Sequence, residues 1–327
     1  MGAISEDDLI ARFFAPIAGP GALALKDDAA CLTPPPGCDL ILTKDALVAG
    51  VHFFADDPPE AIARKALRVN VSDLAAKGAD PLGFLLALAL PIGVETDWIA
   101  RFAQGLGEDA LRWGIPLLGG DTVKTPGPAM VSVTALGTAP TGRMVPRTGV
   151  RAGDLIFASG AIGDSALGLQ ARLAPQRFAA LSQGARAHLL ARYLDPQPRL
   201  ALAPVLRAHA SAGMDVSDGL VGDLTKMLKA SGVSAIIRLC DAPLSDAARE
   251  AIAMEPALFE TAMTGGDDYE LLVAASPQKA KVLQEDARSA GVPLSLIGEA
   301  VAGVGPPRFM GADGAQMRFA RGSFSHF

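Results

Sequence analysis

Gly83 to Ile92 reads GFLLALALPI, an unbroken apolar run whose length and composition suit a strand buried on both faces of a covered sheet. Immediately upstream, Val69 to Pro81 reads VNVSDLAAKGADP. Asn70 and Ser72 are capping residue types and Leu74-Ala75-Ala76-Lys77 has good helix propensity, so the spacing predicts a short helix that starts near Asp73 and is ended by Gly78. Asp73 is therefore expected where a polar loop meets a buried sheet. Three acidic spots of the same kind surround it: Lys26-Asp27-Asp28, Thr43-Lys44-Asp45 and Gly119-Gly120-Asp121-Thr122. Each abuts an apolar stretch. Together they exceed what solubility requires, and carboxylates so placed suit divalent cations, which prefer hard oxygen ligands.

A chain of 327 residues with 50% hydrophobic content can bury a large core, and its length favours two domains. A net charge of -6 with no visible basic stripe argues against a nucleic-acid partner, because phosphate backbones select clustered Lys and Arg. Cys31, Cys38 and Cys240 are odd in number and lack CxxC spacing, which indicates neither a disulfide framework nor a zinc site. The first residues, MGAISEDDLIARFF, are acidic where a signal peptide would be basic, and no apolar run approaches the roughly 20 residues of a membrane helix. The expectation is a cytoplasmic protein with no membrane segment.

In chain order, Asp39 to Thr43 reads as a strand delivering Asp45, Glu60 to Val69 as an amphipathic helix, and Trp98 to Trp113 as a helix ended by Gly114. Ile115 to Leu118 reads as a short strand whose end presents GGDT, and the alternation of Met130 to Leu136 as another. Thr141 to Gly153, TGRMVPRTGVRAG, is loop-like, concentrates three arginines, and divides the chain into residues 1–148 and 149–327. A strand from Asp154 to Ser159 follows, then a glycine turn, GAIGDSALG, which is a weak phosphate-loop signal. Two further strings couple acids to glycine: MDVSDGL, Met214 to Leu220, leading into a helix through Lys229, and TGGDDYELL, Thr264 to Leu272.

Taken singly, an Asp-Asp or Ser-Asp pair is most often a turn or an N-cap. Six acidic sites, all expected at strand ends or in loops beside glycine, point instead to a ligand that backbone must approach closely. Clustered carboxylates repel phosphate unless metal ions reverse the local sign. Aspartates combined with Arg143 and Arg147 on a glycine-rich loop therefore imply magnesium held between protein and polyphosphate, the arrangement for phosphoryl transfer. GxxxxGK[ST], an HRD or DFG set, GxSxG and HExxH are all absent from the sequence, so neither the P-loop nor the protein-kinase solution is used.

The ordered strings KDDAACL, TKDALVAGVHF, KALRVNVSDLAAKGADP, LLGGDT, GRMVPRTGVRAGD, GAIGDSALGL, MDVSDGL, TGGDDYEL and a closing HF resemble the thiamine-monophosphate kinase family nearly end to end. That family shares an ATP-binding superfamily with aminoimidazole ribonucleotide synthetase, selenophosphate synthetase and a hydrogenase maturation protein. The resemblance implies an α/β fold of the α+β type in two domains. The N-terminal domain would carry a mixed sheet, bind ATP and metal, and form a homodimer; the C-terminal domain would be α/β. The implied reaction is ATP-dependent phosphorylation of thiamine monophosphate to thiamine diphosphate, by direct in-line transfer between metal-clamped phosphates. By the same likeness Asp28, Asp45, Asp73, Asp121, Asp215 and Asp218, with Thr43 assisting, would hold several Mg2+ ions. Gly120, Asp121, Arg147 and Ser217 would contact ATP, and His52 and Asp267 the thiamine substrate. The attacking phosphate oxygen is already ionised at neutral pH, so no general base is required and Asp73 and Asp121 would act through metal.

The chain departs from the family's pattern at Lys26, at Lys44 where a hydroxyl residue is usual, and at Asp267 where Glu is usual. It also lacks a tryptophan shortly before the closing HF, offering Phe319 to Arg321 instead. An ammonium at position 44 beside a metal site implies an altered magnesium dependence. The competing readings are a related ATP-dependent synthetase, against which the closing HF and the Arg143 to Arg147 loop speak, and a nucleotide-binding homologue without turnover. A carboxylate-pair hydrolase, the remaining class, would act without ATP.

Overall fold

In a computed structural model, residues 5–319, 322 and 323 are described; Ala320, Arg321 and the closing His326-Phe327 lie outside the described residues. The chain divides into two compact units, one of Met1–Leu74 with Ala79–Gly142, the other of Ala75–Gly78 with Arg143–Phe327.

The first unit contains α1 (Glu6–Leu9), β1 (Cys38–Val48), α2 (Pro59–Ala76, its last two residues grouped with the second unit), β2 (Asp80–Pro91), α3 (Thr96–Trp113), β3 (Leu117–Thr125) and β4 (Met130–Pro140). Its strands form one mixed sheet in the order β1-β4-β2-β3, with β4 antiparallel to β1 and β2, and β2 parallel to β3. Between β2 and β3 runs α3, the crossover a parallel pair needs.

Register sorts the side chains onto two faces. Thr43 and Asp45 of β1 pair with Ala135 and Val133, which pair with Phe84 and Leu86; these apolar partners are buried. On the other face Leu42 pairs with Leu136, Lys44 with Thr134, Thr134 with Leu85, and Ala87 with Asp121. Leu40, Leu42, Leu85 and Val123 on this second face are 44%, 63%, 40% and 48% exposed. Gly83 to Ile92 is therefore not a strand buried on both faces. Its pairing with β4 is antiparallel, and one face of the sheet stays open, as antiparallel sheets allow.

The predicted helix start at Asp73 is also corrected, since α2 runs unbroken from Pro59 to Ala76 and Asp73 stands in its last turn. Asn70 and Ser72 are buried in the helix interior. Asn70 Nδ2 donates to the Ala66 carbonyl at 3.0 Å, one turn back, so its amide is used inside the helix and not as a cap. Helices α2 and α3 are locked by a buried bidentate pair, Arg68 Nε to Asp109 Oδ2 at 2.5 Å and Nη2 to Oδ1 at 2.9 Å. Nor does GGDT sit at the end of a short strand: pairing with β2 carries β3 on to Thr125, so Asp121 lies mid-strand.

The second unit contains β5 (Leu155–Ser159), α4 (Asp164–Leu173), α5 (Gln183–Leu194), α6 (Ala203–His209), β6 (Ala212–Asp215), α7 (Leu220–Ser231), β7 (Ser234–Arg238), α8 (Asp246–Met254), α9 (Leu258–Thr264), β8 (Leu271–Ala275), α10 (Pro277–Ser289), β9 (Leu294–Val301), β10 (Arg308–Met310) and β11 (Gln316–Met317). Its sheet has the order β11-β10-β7-β9-β5-β8-β6, antiparallel throughout except for β10 beside β7. Here it is β8 that is buried on both faces. Leu272 and Ala274 enter one apolar cluster with Ile156 and Met214, while Leu271 and Val273 enter another with Phe157 and Leu283. That two-sided burial fixes the strand feeding from the TGGDDYELL string, and β6, its neighbour, fixes the strand that leads into MDVSDGL.

Candidate active site

In the first unit the predicted ligands fall into two groups. Thr43 Oγ1 donates to Asp73 Oδ2, tying β1 to the last turn of α2, and Asp45 lies two residues on along the same face. Asp28, Gly120 and Asp121 instead meet at a cavity of about 700 Å³, together with Asp27, Gly119 and Thr122. Phe14, Leu25, Leu32 and Leu117 form part of its apolar wall, and none of the lining side chains is basic. Gly120 is obligatory there, because an added Cβ would stand 1.9 Å from the Leu86 carbonyl oxygen. Asp45 and Asp121 lie within strands and Asp73 within a helix, which corrects their expected place at strand ends or in loops. The pleat of β1 and β3 and the last turn of α2 present these carboxylates.

The face assignment also corrects the expectation for Lys44. Its Nζ donates to Ser132 Oγ at 2.9 Å and Thr134 Oγ1 at 3.3 Å, on the face opposite Thr43 and Asp45. His52 is held by the Val48 N–H, which donates to Nδ1 at 3.0 Å. Nδ1 is thus the acceptor, and the neutral ring carries its proton on Nε2. Lys65, 3% exposed, fixes the same loop by donating to the His52 carbonyl at 2.9 Å.

In the second unit the strings MDVSDGL and TGGDDYELL are zipped side by side. Asp267 N donates to Ser217 O at 2.8 Å, Tyr269 N to Val216 O at 2.9 Å, and Val216 N to Glu270 O at 2.8 Å. The approach is close enough that a Cβ on Gly266 would lie 2.2 Å from Ser217 O. Asp267 and Tyr269 sit at φ 72° and 52°, a left-handed conformation that costs of order 1–3 kcal/mol per residue and persists where surrounding bonds over-determine it. Tyr269 Oη also donates to Asp267 Oδ1 at 3.3 Å. Asp215 ends β6 and is buried.

Asp223, on the first turn of α7, closes this loop from below. Its Oδ2 accepts the Ser217 N–H at 2.9 Å and the Asp218 N–H at 2.8 Å. Lys226 Nζ donates to Asp223 Oδ1 at 3.0 Å and to Asp218 Oδ2. Burial pushes the Asp223 carboxyl above its ordinary range, opposed by the Asp218 N–H and the Lys226 ammonium. Gly322 and Ser323 lie over Gly222 in the same helix, where an added Cβ would stand 2.2 Å from Ser323 Cβ.

The GAIGDSALG turn is not an open phosphate loop. The Gly163 and Ser165 N–H groups at the start of α4 donate to Asp268 Oδ2 and Oδ1 at 2.6 and 3.2 Å, so an internal carboxylate holds the amides a phosphate would take. Burial pushes Asp268 well above the ordinary carboxylate range; the two amides oppose the shift, and nearby Asp164 and Glu270 add to it. Glu270 is fully buried and accepts from Ser159 Oγ at 2.7 Å, Arg199 Nε at 2.7 Å and Arg192 Nη2 at 3.2 Å. Arg147 is exposed, and its carbonyl accepts the Ser231 hydroxyl at 3.2 Å; Arg143 Nη2 donates to the Arg207 carbonyl at 3.2 Å. Sequence reasoning missed Lys65, Asp223, Lys226, Asp268 and Glu270. An acid and a lysine one turn apart just after SDGL were a visible signal for Asp223 and Lys226.

The donors at these sites are carboxylates, a hydroxyl and backbone, without imidazole or thiolate, which is the chemistry of a hard cation. Among the described residues no three His, Cys, Asp or Glu side chains stand assembled as a cage. Mg2+ needs none, since it keeps waters and takes one or two carboxylates plus substrate phosphates. The residues present therefore fit Mg2+.

Residues 26–139 match the family model of the AIR synthase related protein, N-terminal domain, and residues 151–306 that of the C-terminal domain. The two-unit α/β fold with its acidic strings is thus that of the AIR synthase related class. A thiamine-monophosphate kinase of Caulobacter vibrioides is 45% identical over 306 residues, 92% of this chain and 85% of the relative. The crystal structure of a thiamine-monophosphate kinase from Stenotrophomonas maltophilia K279a is 38% identical, with a TM-score of 0.81 over 90% of this chain and 91% of that one. AaThiL complexed with AMPPCP and TMP is 29% identical, with a TM-score of 0.78 over 98% and 94%. Within its class this chain belongs to the thiamine-monophosphate kinases, and it is an enzyme of that family. Among the described residues, no helix is long and apolar enough to cross a membrane.

Proposed function

We propose that this chain transfers the γ-phosphoryl group of ATP in line to thiamine monophosphate, forming thiamine diphosphate and ADP, with several Mg2+ ions as resident cations. The observation that carries the reading is the acidic cavity at Asp27, Asp28 and Asp121, in a chain similar along nearly its whole length to a protein complexed with an ATP analogue and TMP. Carboxylates without a basic neighbour repel a polyphosphate unless cations intervene. Asp28 and Asp121, Asp73 with Thr43 and Asp45, and Asp215 with Asp218 would hold Mg2+, which when bound neutralises phosphate charge. Gly120 offers close backbone approach to the nucleotide, and Ser217 and Arg147 are its further proposed contacts. His52 presents Nε2–H, and Asp267 a carboxylate, to the thiamine substrate. The acceptor phosphate oxygen is ionised at neutral pH, so no side chain has to remove a proton, and rate comes from alignment and charge neutralisation.

The domains divide as residues 1–148 for nucleotide, cation and dimerisation and 149–327 for the remainder. The open sheet face with Leu40, Leu42, Leu85 and Val123 supports a homodimer formed through the first unit, since apolar side chains at this density favour burial. A cytoplasmic location, where ATP and Mg2+ are at hand, completes the reading. Incubation with ATP, Mg2+ and thiamine monophosphate, with products separated by chromatography, tests it. Thiamine diphosphate and ADP should form in equal amounts, and Asp73→Asn should abolish most of both. ADP release that is independent of thiamine monophosphate would overturn the assignment.

A further inference from the structure

Lys44 points away from Thr43 and Asp45, yet another ammonium does sit on a predicted metal ligand. Lys226 Nζ lies between two carboxylates, Asp218 Oδ2 and Asp223 Oδ1. Asp223 cannot turn away, because its Oδ2 is held by the Ser217 and Asp218 N–H groups and its side chain is 1% exposed. Lys226 is three residues along the same rigid helix, so its stem starts from a fixed point. The Asp218 side chain, by contrast, is 33% exposed and faces solvent on one side. The ammonium is therefore anchored at the buried acid and reaches out to the accessible one.

We propose that Lys226 is a built-in cation on Asp218 that a divalent ion must displace, so that this chain binds its second-unit cation more weakly than the same site would without the lysine. An ammonium carries only donors and cannot serve as a ligand, and two cations on one carboxylate repel. When a divalent ion takes Asp218, Lys226 keeps its bond to Asp223, and its side chain, already 43% exposed in the ion-free pair, is free to meet a phosphate oxygen. The displaced pair is partly exposed, so its loss is modest, and with the added repulsion the expected weakening is about three- to tenfold.

The inference rests on the proposed role of Asp218 as a cation ligand, and the experiment separates the two. Free Mn2+ is titrated against wild type, Lys226→Met, Lys226→Arg, Asp218→Asn and the double variant Lys226→Met/Asp218→Asn, without nucleotide, and followed by electron paramagnetic resonance. Thermal melts confirm folding, with Lys226→Gln replacing Lys226→Met if the latter is not folded. Lys226→Met should tighten the weakest Mn2+ class about three- to tenfold, Lys226→Arg should stay near wild type, and the double variant should show no gain. If Lys226→Met binds Mn2+ no more tightly while Asp218→Asn weakens binding, the lysine proposal falls and the ligand assignment stands. If Asp218→Asn changes nothing in either background, the ligand assignment falls. A gain that persists in the double variant also overturns the proposal, because it does not pass through Asp218.

Discussion

Replacing Asp223 with alanine removes the one acceptor shared by the Ser217 and Asp218 N–H groups. Asp223 is buried and Ser217 and Asp218 are half-buried, so water can take over only in part. A buried donor left without a partner costs about 1–3 kcal/mol, and two such donors about 2–6 kcal/mol. Part of this is offset, because the carboxylate is itself disfavoured by burial, as its raised proton affinity shows. A loss of about 2–4 kcal/mol is expected, a large part of the 5–15 kcal/mol that holds a typical domain. Asp223→Asn keeps an oxygen for both amides but turns an NH2 toward Lys226, and should cost about 1–2 kcal/mol. Urea denaturation reads both values as shifts of midpoint at constant slope. Since the same amides carry Ser217 and Asp218, the KM for ATP should rise in both variants more than the KM for thiamine monophosphate. An Asp223→Ala protein within about 0.5 kcal/mol of wild type, with an unchanged KM for ATP, would show that the loop is held by its pairing with Asp267 and Tyr269 alone.

Three other substitutions test the sites independently. Gly120→Ala places a Cβ 1.9 Å from the Leu86 carbonyl oxygen and must part β2 from β3, so melting should show a loss of about 3 kcal/mol or more and ADP formation should fall over tenfold, whereas Gly119→Ala meets only Leu85 Cδ2 at 3.6 Å and should be tolerated. Asp268 has a folded-state pKa above its unfolded value, so its contribution is fully present below the ordinary carboxylate pKa of 3.8 and is lost as pH rises through the folded value. The stability of wild type relative to Asp268→Asn, measured by denaturant melts from pH 4 to pH 8, should therefore fall as pH rises; a difference that grows with pH would refute the direction of the shift.

Local chemistry made much of this protein legible. The order of acidic strings, the helix end at Gly114 and the helix that follows MDVSDGL are set by residue types a few positions apart, and those same strings carry the family. Asn70 and Ser72 misled because capping chemistry is also helix-interior chemistry when an apolar face continues through it, as it does along α2. Which carboxylates share a surface was not readable. Strand pairing, with a register shift between Phe84 and Leu85, set Thr43 and Asp45 on one face and Asp121 on the other. It likewise sent Lys44 to the hydroxyls of Ser132 and Thr134, while helix geometry brought Lys226 onto Asp218. The sequence alone determined which side chains are available for cation and phosphate chemistry, because side-chain type is intrinsic. Only tertiary structure decided which of them meet, because hydrogen-bond register and helix phase are set by pairing between segments that lie tens of residues apart.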